Sequence, residues 1–201
     1  MQREPYPKRD GYRCWLSPDE QNQLVKQVGV DDLERRLAVE LLLDGLRADE
    51  VPRVTKRDLH ALDVDAERYL LQVSEGKTGY RETPISTATA NRIQARASVP
   101  RHSVDDPVVS VGKRQVQNWI EALRDPMEES TGDDRWQFVT AHDLRRSWAT
   151  TCYYRLYRSS VALDLVMQWG GWESEEVFRK NYLGRPPASL VAETMEEAGL
   201  V

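Results

Sequence analysis

The stretch from Thr140 to Leu156 leaves the chain the least conformational choice. Thr140 and Asp143 form a Thr-x-x-Asp box, in which each end can satisfy a backbone donor freed at a helix start. A helix is therefore predicted to begin near Thr140. Trp148, Cys152 and Leu156 then recur at every fourth position, so one stripe of that helix has to be buried in a core. His142 and Arg145 lie one turn apart near its start and project from one face. The free N–H groups and the dipole of a helix start favour an anion there. Taken alone, the pair reads as a cap and a solvated charge, and its meaning depends on the rest of the chain.

At 201 residues, 40% hydrophobic and with six tryptophans, the chain supports one packed domain. It has no apolar run of bilayer-spanning length and no signal peptide at its start, so a cytoplasmic location is expected. Cys14 and Cys152 lack metal-ligand spacing and read as reduced packing residues. Residues 1–14, with Pro5 and Pro7 among mixed charges, read as an arm or linker, and 15–201 as the folded domain. Ser17-Pro18-Asp19-Glu20 opens a helix to about Val28. A second helix follows from Asp32 to about Gly45, with Leu33, Leu37, Leu41 and Leu42 as its stripe. Short strands are predicted at 62–64, 69–73 and 80–85, the last two joined by a glycine-bracketed hairpin with Lys77 at its tip. Helices resume at 87–97, 113–128, 161–167 and 174–180, with 125–135 read as a polar loop or frayed end and 189–198 as an amphipathic tail. The fold class is α+β, mainly helical, with a small three-stranded antiparallel sheet.

A net charge of −5, averaged over the surface, weighs against nucleic acid. The distribution is less hostile: Arg145, Arg146, Arg155 and Arg158 share one helix, Lys113 and Arg114 open another, and the acids gather at 133–134, 175–176 and 193–197. A basic cleft on an acidic body can still bind DNA. A histidine and an arginine one turn apart, ahead of the hydroxyl nucleophile Tyr182, suit attack on a phosphodiester better than attack on a carbonyl.

Taken in order, Gly45-Leu46-Arg47 with Glu50, the hairpin Lys77, His142-x-x-Arg145, Gly170-Gly171-Trp172 and Tyr182 resemble the tyrosine recombinases, the phage-integrase family. The resemblance runs from about Leu16 to the end of the chain. It implies a catalytic domain that cuts and rejoins double-stranded DNA through a 3′-phosphotyrosyl intermediate, as a site-specific recombinase or integrase. In that scheme Arg47 and Arg145 grip the non-bridging oxygens of one phosphate with planar forks. Tyr182 attacks phosphorus and His142 accepts its proton, which a phenol with a pKa of about 10 requires. Lys77 protonates the departing 5′ oxygen. Trp172 stands where the family carries His or Trp, its indole N–H on the phosphate and its ring against the tyrosine segment. No metal and no cofactor is implied.

Two departures stand out: Gly170-Gly171-Trp172 replaces the family's usual Leu-Gly-His, and the interval to the tyrosine is about one residue longer. Members commonly carry an N-terminal core-binding domain that closes a clamp on DNA. Because the resemblance leaves no room for one ahead of Leu16, the expectation is a fragment of a longer protein, a minimal recombinase, or a domain that works with a separate core-binding domain or partner protein, with self-assembly on DNA. Alternative readings are a non-catalytic DNA-binding regulator of the same fold, which the intact set of residues disfavours, and relaxation of DNA in the manner of type IB topoisomerases. Few apolar anchors surround Tyr182, which predicts that it sits outside the cluster until DNA binds. The tail follows a Gly184-Arg185-Pro186-Pro187 hinge and is expected to dock in cis or in trans.

Overall fold

The computed structural model describes residues 1–7, 10–76 and 79–200. Helix α1 (Pro18–Val28) starts at the capping box foreseen, with Glu20 Oε2 accepting the Ser17 N–H at 2.7 Å. Helix α2 (Leu33–Leu43) buries Leu37, Ala38, Val39, Leu41 and Leu42, so it is surrounded rather than laid on a surface. It packs against α6 (Ala141–Arg155), the helix of the Thr140–Asp143 box. Strands β3 (Leu59–Ala61), β4 (Tyr69–Gly76) and β5 (Gly79–Ile85) form an antiparallel sheet in that order. Side chains on β5 alternate, with Arg81, Thr83 and Ile85 turned inward.

Three boundaries differ from the sequence reading. The first strand of the sheet is 59–61, not 62–64. The apolar residues Leu62 and Val64 are exposed, and Leu62 N–H bonds Arg68 O at 2.9 Å across the turn into β4. The helix expected over 113–128 is two helices, α4 (Lys113–Glu121) and α5 (Arg124–Thr131), and α5 occupies much of the stretch read as loop. Pro126 explains the break. In a continuous helix its ring would collide with the carbonyl of Ala122, whereas in the first turn of a new helix its missing N–H costs nothing. Buried Leu123 and Met127 then anchor α5 in the core.

Residues 1–14, read as an arm or linker, behave differently. Strands β1 (Gln2–Pro5) and β2 (Tyr12–Trp15) pair as an antiparallel hairpin, Arg3 opposite Cys14. Cys14 and Trp15 are buried, and β2 is tied to α6 by Cys14 N–H on Asp143 Oδ1 at 3.0 Å and Leu16 N–H on Ser147 Oγ at 2.8 Å. Burial of that short apolar run outweighs the polar composition around it.

Helix α3 (Thr87–Ala97) covers one side of α2, and α7 (Ala162–Gly170), α8 (Glu175–Asn181) and α9 (Ala188–Glu197) complete the chain. The main core runs through α2, α3, α4 and the start of α6. A second cluster, Trp148, Ala149, Val166, Trp172 and Phe178, borders Tyr182. Among the described residues no helix is long and apolar enough to cross a membrane.

Candidate active site

Asp143 sets the start of α6, its Oδ2 accepting the Thr140 N–H at 2.9 Å and the Thr140 hydroxyl at 2.6 Å. One turn on, Arg145 is completely buried. Its two terminal nitrogens donate to Gly45 O and Gly170 O. Both carbonyls lie at helix C-terminal ends, those of α2 and α7, where partial negative charge favours a cation. Glycine is required at both places. Gly45 has φ 93° and a Cβ on it would fall 2.6 Å from the Trp148 ring, while a Cβ on Gly170 would fall 1.9 Å from the Trp172 ring.

Arg47, just past Gly45, is held from the other side. Glu50 Oε1 accepts from Arg47 Nη1, and Glu50 Oε2 from the Arg47 backbone N–H, both at 2.7 Å. Arg47 Nη2 donates to Gly171 O at 3.2 Å. Glu50 also receives both ends of the Arg81 fork at 2.7 Å, and Arg81 Nε donates to Trp169 O at 2.9 Å. Burial raises the Glu50 pKa, but the Arg81 bonds and charge and the Arg47 backbone N–H outweigh it and bring the value down to about 2. Arg145 is pulled below the ordinary guanidinium value, first by burial and then by the charges of Arg47 and Arg81, with Glu50 opposing. Three guanidiniums thus gather around one carboxylate, a local excess of positive charge.

Trp172 lies under this centre, the Arg145 Cζ 4.5 Å from its ring centroid. Tyr182, the residue that ends α8, packs beside it with ring centroids 4.6 Å apart. Its ring is also 5.2 Å from that of His142 and 6.0 Å from Arg145 Cζ. The described members of the set expected from the sequence, Arg47, His142, Arg145, Trp172 and Tyr182, therefore meet in one place. Tyr182 lies inside the cluster rather than outside it. Lys77 lies outside the described residues. His142 is exposed, and with Arg47, Arg145, Lys113 and Gln117 it lines a cleft of about 170 Å³. The indole Nε1 of Trp172 and Nε of Arg145 are buried donors without a hydrogen-bond partner among the described residues.

Two site residues escaped the sequence reading. Arg81 had a visible signal, a charged residue on the inward face of β5 with Thr83 and Ile85. Gln117, on the exposed-looking side of α4, had none. Among the described residues no group of three His, Cys, Asp or Glu side chains has the geometry to hold a metal ion.

Residues 14–185 match the model of the phage integrase family, and the chain belongs to that family. Curated protein sequences provide no match. Among solved structures, the XerA recombinase is similar at a TM-score of 0.64 and 19% identity, covering 92% of this chain and 65% of that one. A Tn1549 transposon integrase variant in complex with transposon right end DNA follows at 0.61 and 15% identity, covering 93% of this chain and 66% of that one. A lambda integrase dimer bound to a COC′ core site is similar at 0.54 and 17% identity, covering 88% of this chain and 50% of that one. The fold is that of the catalytic domain of tyrosine recombinases, and the chain spans at most about two thirds of these solved chains.

Proposed function

We propose that this chain is the catalytic domain of a site-specific recombinase or integrase that breaks and rejoins double-stranded DNA through a 3′-phosphotyrosyl intermediate. The observation that carries the reading is a surplus of donors beside a phenol. Arg47 and Arg81 share the carboxylate of Glu50, with Arg145 adding a third positive charge nearby, and among the described residues the Trp172 indole N–H and Arg145 Nε are buried without acceptors, the Trp172 ring centroid 4.6 Å and the Arg145 Cζ 6.0 Å from the Tyr182 ring. A phosphodiester supplies the missing negative charge and the missing acceptors at once. Family membership and the DNA complexes of the Tn1549 and lambda integrases support the same partner, and the lambda dimer supports assembly on it.

In this mechanism Arg47 and Arg145 hold the non-bridging oxygens, whose charge rises in the transition state. Tyr182 Oη attacks phosphorus and its proton passes to His142. The P–O5′ bond breaks, and the leaving oxygen takes a proton, with Lys77 as the donor suggested by family resemblance. The products are a 3′-phosphotyrosyl strand and a free 5′ hydroxyl. Attack by a 5′ hydroxyl on the linkage reverses the step and rejoins DNA without ATP, because the phosphotyrosyl bond conserves the energy of the bond it replaced.

The test is a nicked duplex that traps the covalent species. The unaltered chain is expected to give a protein–DNA band that persists in EDTA. Tyr182→Phe is expected to abolish the band while retaining DNA affinity, and Arg145→Ala to slow its formation by on the order of a hundredfold or more. No band from the unaltered chain, or a band that survives Tyr182→Phe, overturns the proposal.

A further inference from the structure

Besides the packing of Phe178, Tyr182 and Leu183 on the second apolar cluster, the backbone of the segment that carries Tyr182 is held by side chains from elsewhere. From β2, Arg13 Nη1 donates to Lys180 O at 2.6 Å and Trp15 Nε1 to Tyr182 O at 2.7 Å. From β1, Gln2 Oε1 accepts the Arg185 N–H at 2.9 Å. Helix α6 holds the same segment from the other side. Arg146 Nε donates to Asn181 O at 2.9 Å, Thr150 Oγ1 donates to Tyr182 O and accepts from Gly184 N–H, each at 2.9 Å, and Tyr154 OH donates to Gly184 O at 3.0 Å.

These supports converge on Asp143. Its Oδ2 caps the helix of His142 and Arg145, while its Oδ1 accepts the Cys14 N–H of β2 and the guanidinium of Arg146. Gly184 marks the closest approach, since a Cβ there would lie 2.8 Å from Gln2 Oε1 and 3.0 Å from the Trp15 ring. Arg13 and Trp15 are both buried, so their donors work out of competition with water. β1 and the first half of β2 precede residue 14, where the family match begins.

We propose that the β1–β2 hairpin is a positioning strap for the nucleophile. Arg13 and Trp15 hold the backbone on either side of Asn181, so that the Tyr182 phenol stays beside Arg145 and Trp172 of its own protomer before DNA arrives. The proposal rests on the reading of Tyr182 as nucleophile. Fixing the backbone of a residue costs conformational entropy. A segment ordered in advance does not meet that cost during attack, where misplacement by an ångström slows reaction severely. Neither residue meets the reacting atoms; both act through the backbone of the tyrosine segment.

The test uses the full chain. Trp15→Phe removes the indole N–H and keeps an aromatic ring in the slot; Arg13→Met removes the guanidinium and keeps the stem. Amide hydrogen exchange at Gly184 and Arg185 in the free protein is expected to rise tenfold or more in the double variant, with the interior amides of α6 unchanged. On the nicked duplex, single-turnover covalent attachment is expected to slow tenfold or more while the Kd for that duplex stays within twofold. Arg13→Lys, which keeps a cationic donor, is expected to recover part of the rate lost in Arg13→Met. Unchanged exchange overturns the strap, as does raised exchange with an unchanged attachment rate, or a rate loss matched by a loss of affinity. Should Trp15→Phe fail to fold, Arg13→Met and Gln2→Ala carry the same measurements. If the unaltered chain forms no adduct, the recombinase reading fails, and the exchange data alone decide whether the hairpin holds the segment.

Discussion

The two ends of this chain, read from the sequence as an arm or linker and as an amphipathic docking tail, are attached in opposite ways. The N-terminal hairpin buries Cys14 and Trp15, shares Asp143 with the helix of the site, and bonds the backbone around Tyr182. The C-terminal helix α9 buries none of its residues. Its ion pairs are those of Arg158 with Glu193 and Glu197, all of them exposed. One end is fastened by burial and by hydrogen bonds away from water, the other by charges that water and salt screen. The difference teaches that a terminus becomes part of a site through what it desolvates, and that amphipathic pattern or proline content is a poor guide to it.

The comparison is tested most severely by Trp15→Ala. It empties a buried aromatic slot and removes the donor to Tyr182 O, and a loss of about 3–5 kcal/mol in denaturant unfolding is expected. A loss below about 1 kcal/mol would place the hairpin in the same class as the tail.

Acid addresses the arginine centre that lies between the two ends. Glu50 has its folded pKa lowered from 4.5 to about 2, so its stabilisation is fully present above pH 4.5 and is lost as pH falls toward 2. That shift corresponds to roughly 3 kcal/mol. Unfolding measured between about pH 5 and pH 2 is expected to show this loss, and Glu50→Gln, less stable at neutral pH, is expected to show a shallower fall over the same range. An unchanged slope in the variant would remove Glu50 as the keystone of the centre.

A smaller effect is expected from Gly184→Ala, which pushes a methyl against Gln2 and the Trp15 ring and should cost about 1–3 kcal/mol. A neutral result would show that the hairpin lies farther from the tyrosine segment than the structure places it. The smallest is Arg158→Ala, for which no measurable change in Tm is expected, because both of its partners are exposed. A clear drop would mean that α9 is fastened by more than surface charge.

Helix α6 was legible because its information is local. The box at Thr140 and Asp143, and the row through Trp148, state where the helix starts and which stripe is buried, and α1, α2 and α3 announced themselves in the same way. The resemblance to the tyrosine recombinases, more than residue type alone, pointed to Arg47, His142, Arg145, Trp172 and Tyr182 as one set. Helix α5 was less legible, since its polar surface hid the anchoring by Leu123 and Met127.

What the sequence by itself determined, then, is local: capping, periodicity, the breaks at proline and glycine, and the chemical types available to a site. Only the tertiary structure decided that Arg81 and Arg47 would share Glu50, that strands β1 and β2 would dock, and that Tyr182 would sit beside Arg145 and Trp172. The partners in those contacts include Arg13 with Lys180 and Trp15 with Tyr182, drawn from opposite ends of the chain. A hydrogen bond between segments so far apart imposes no period on either one, so it leaves no mark in the sequence until the core has brought them together.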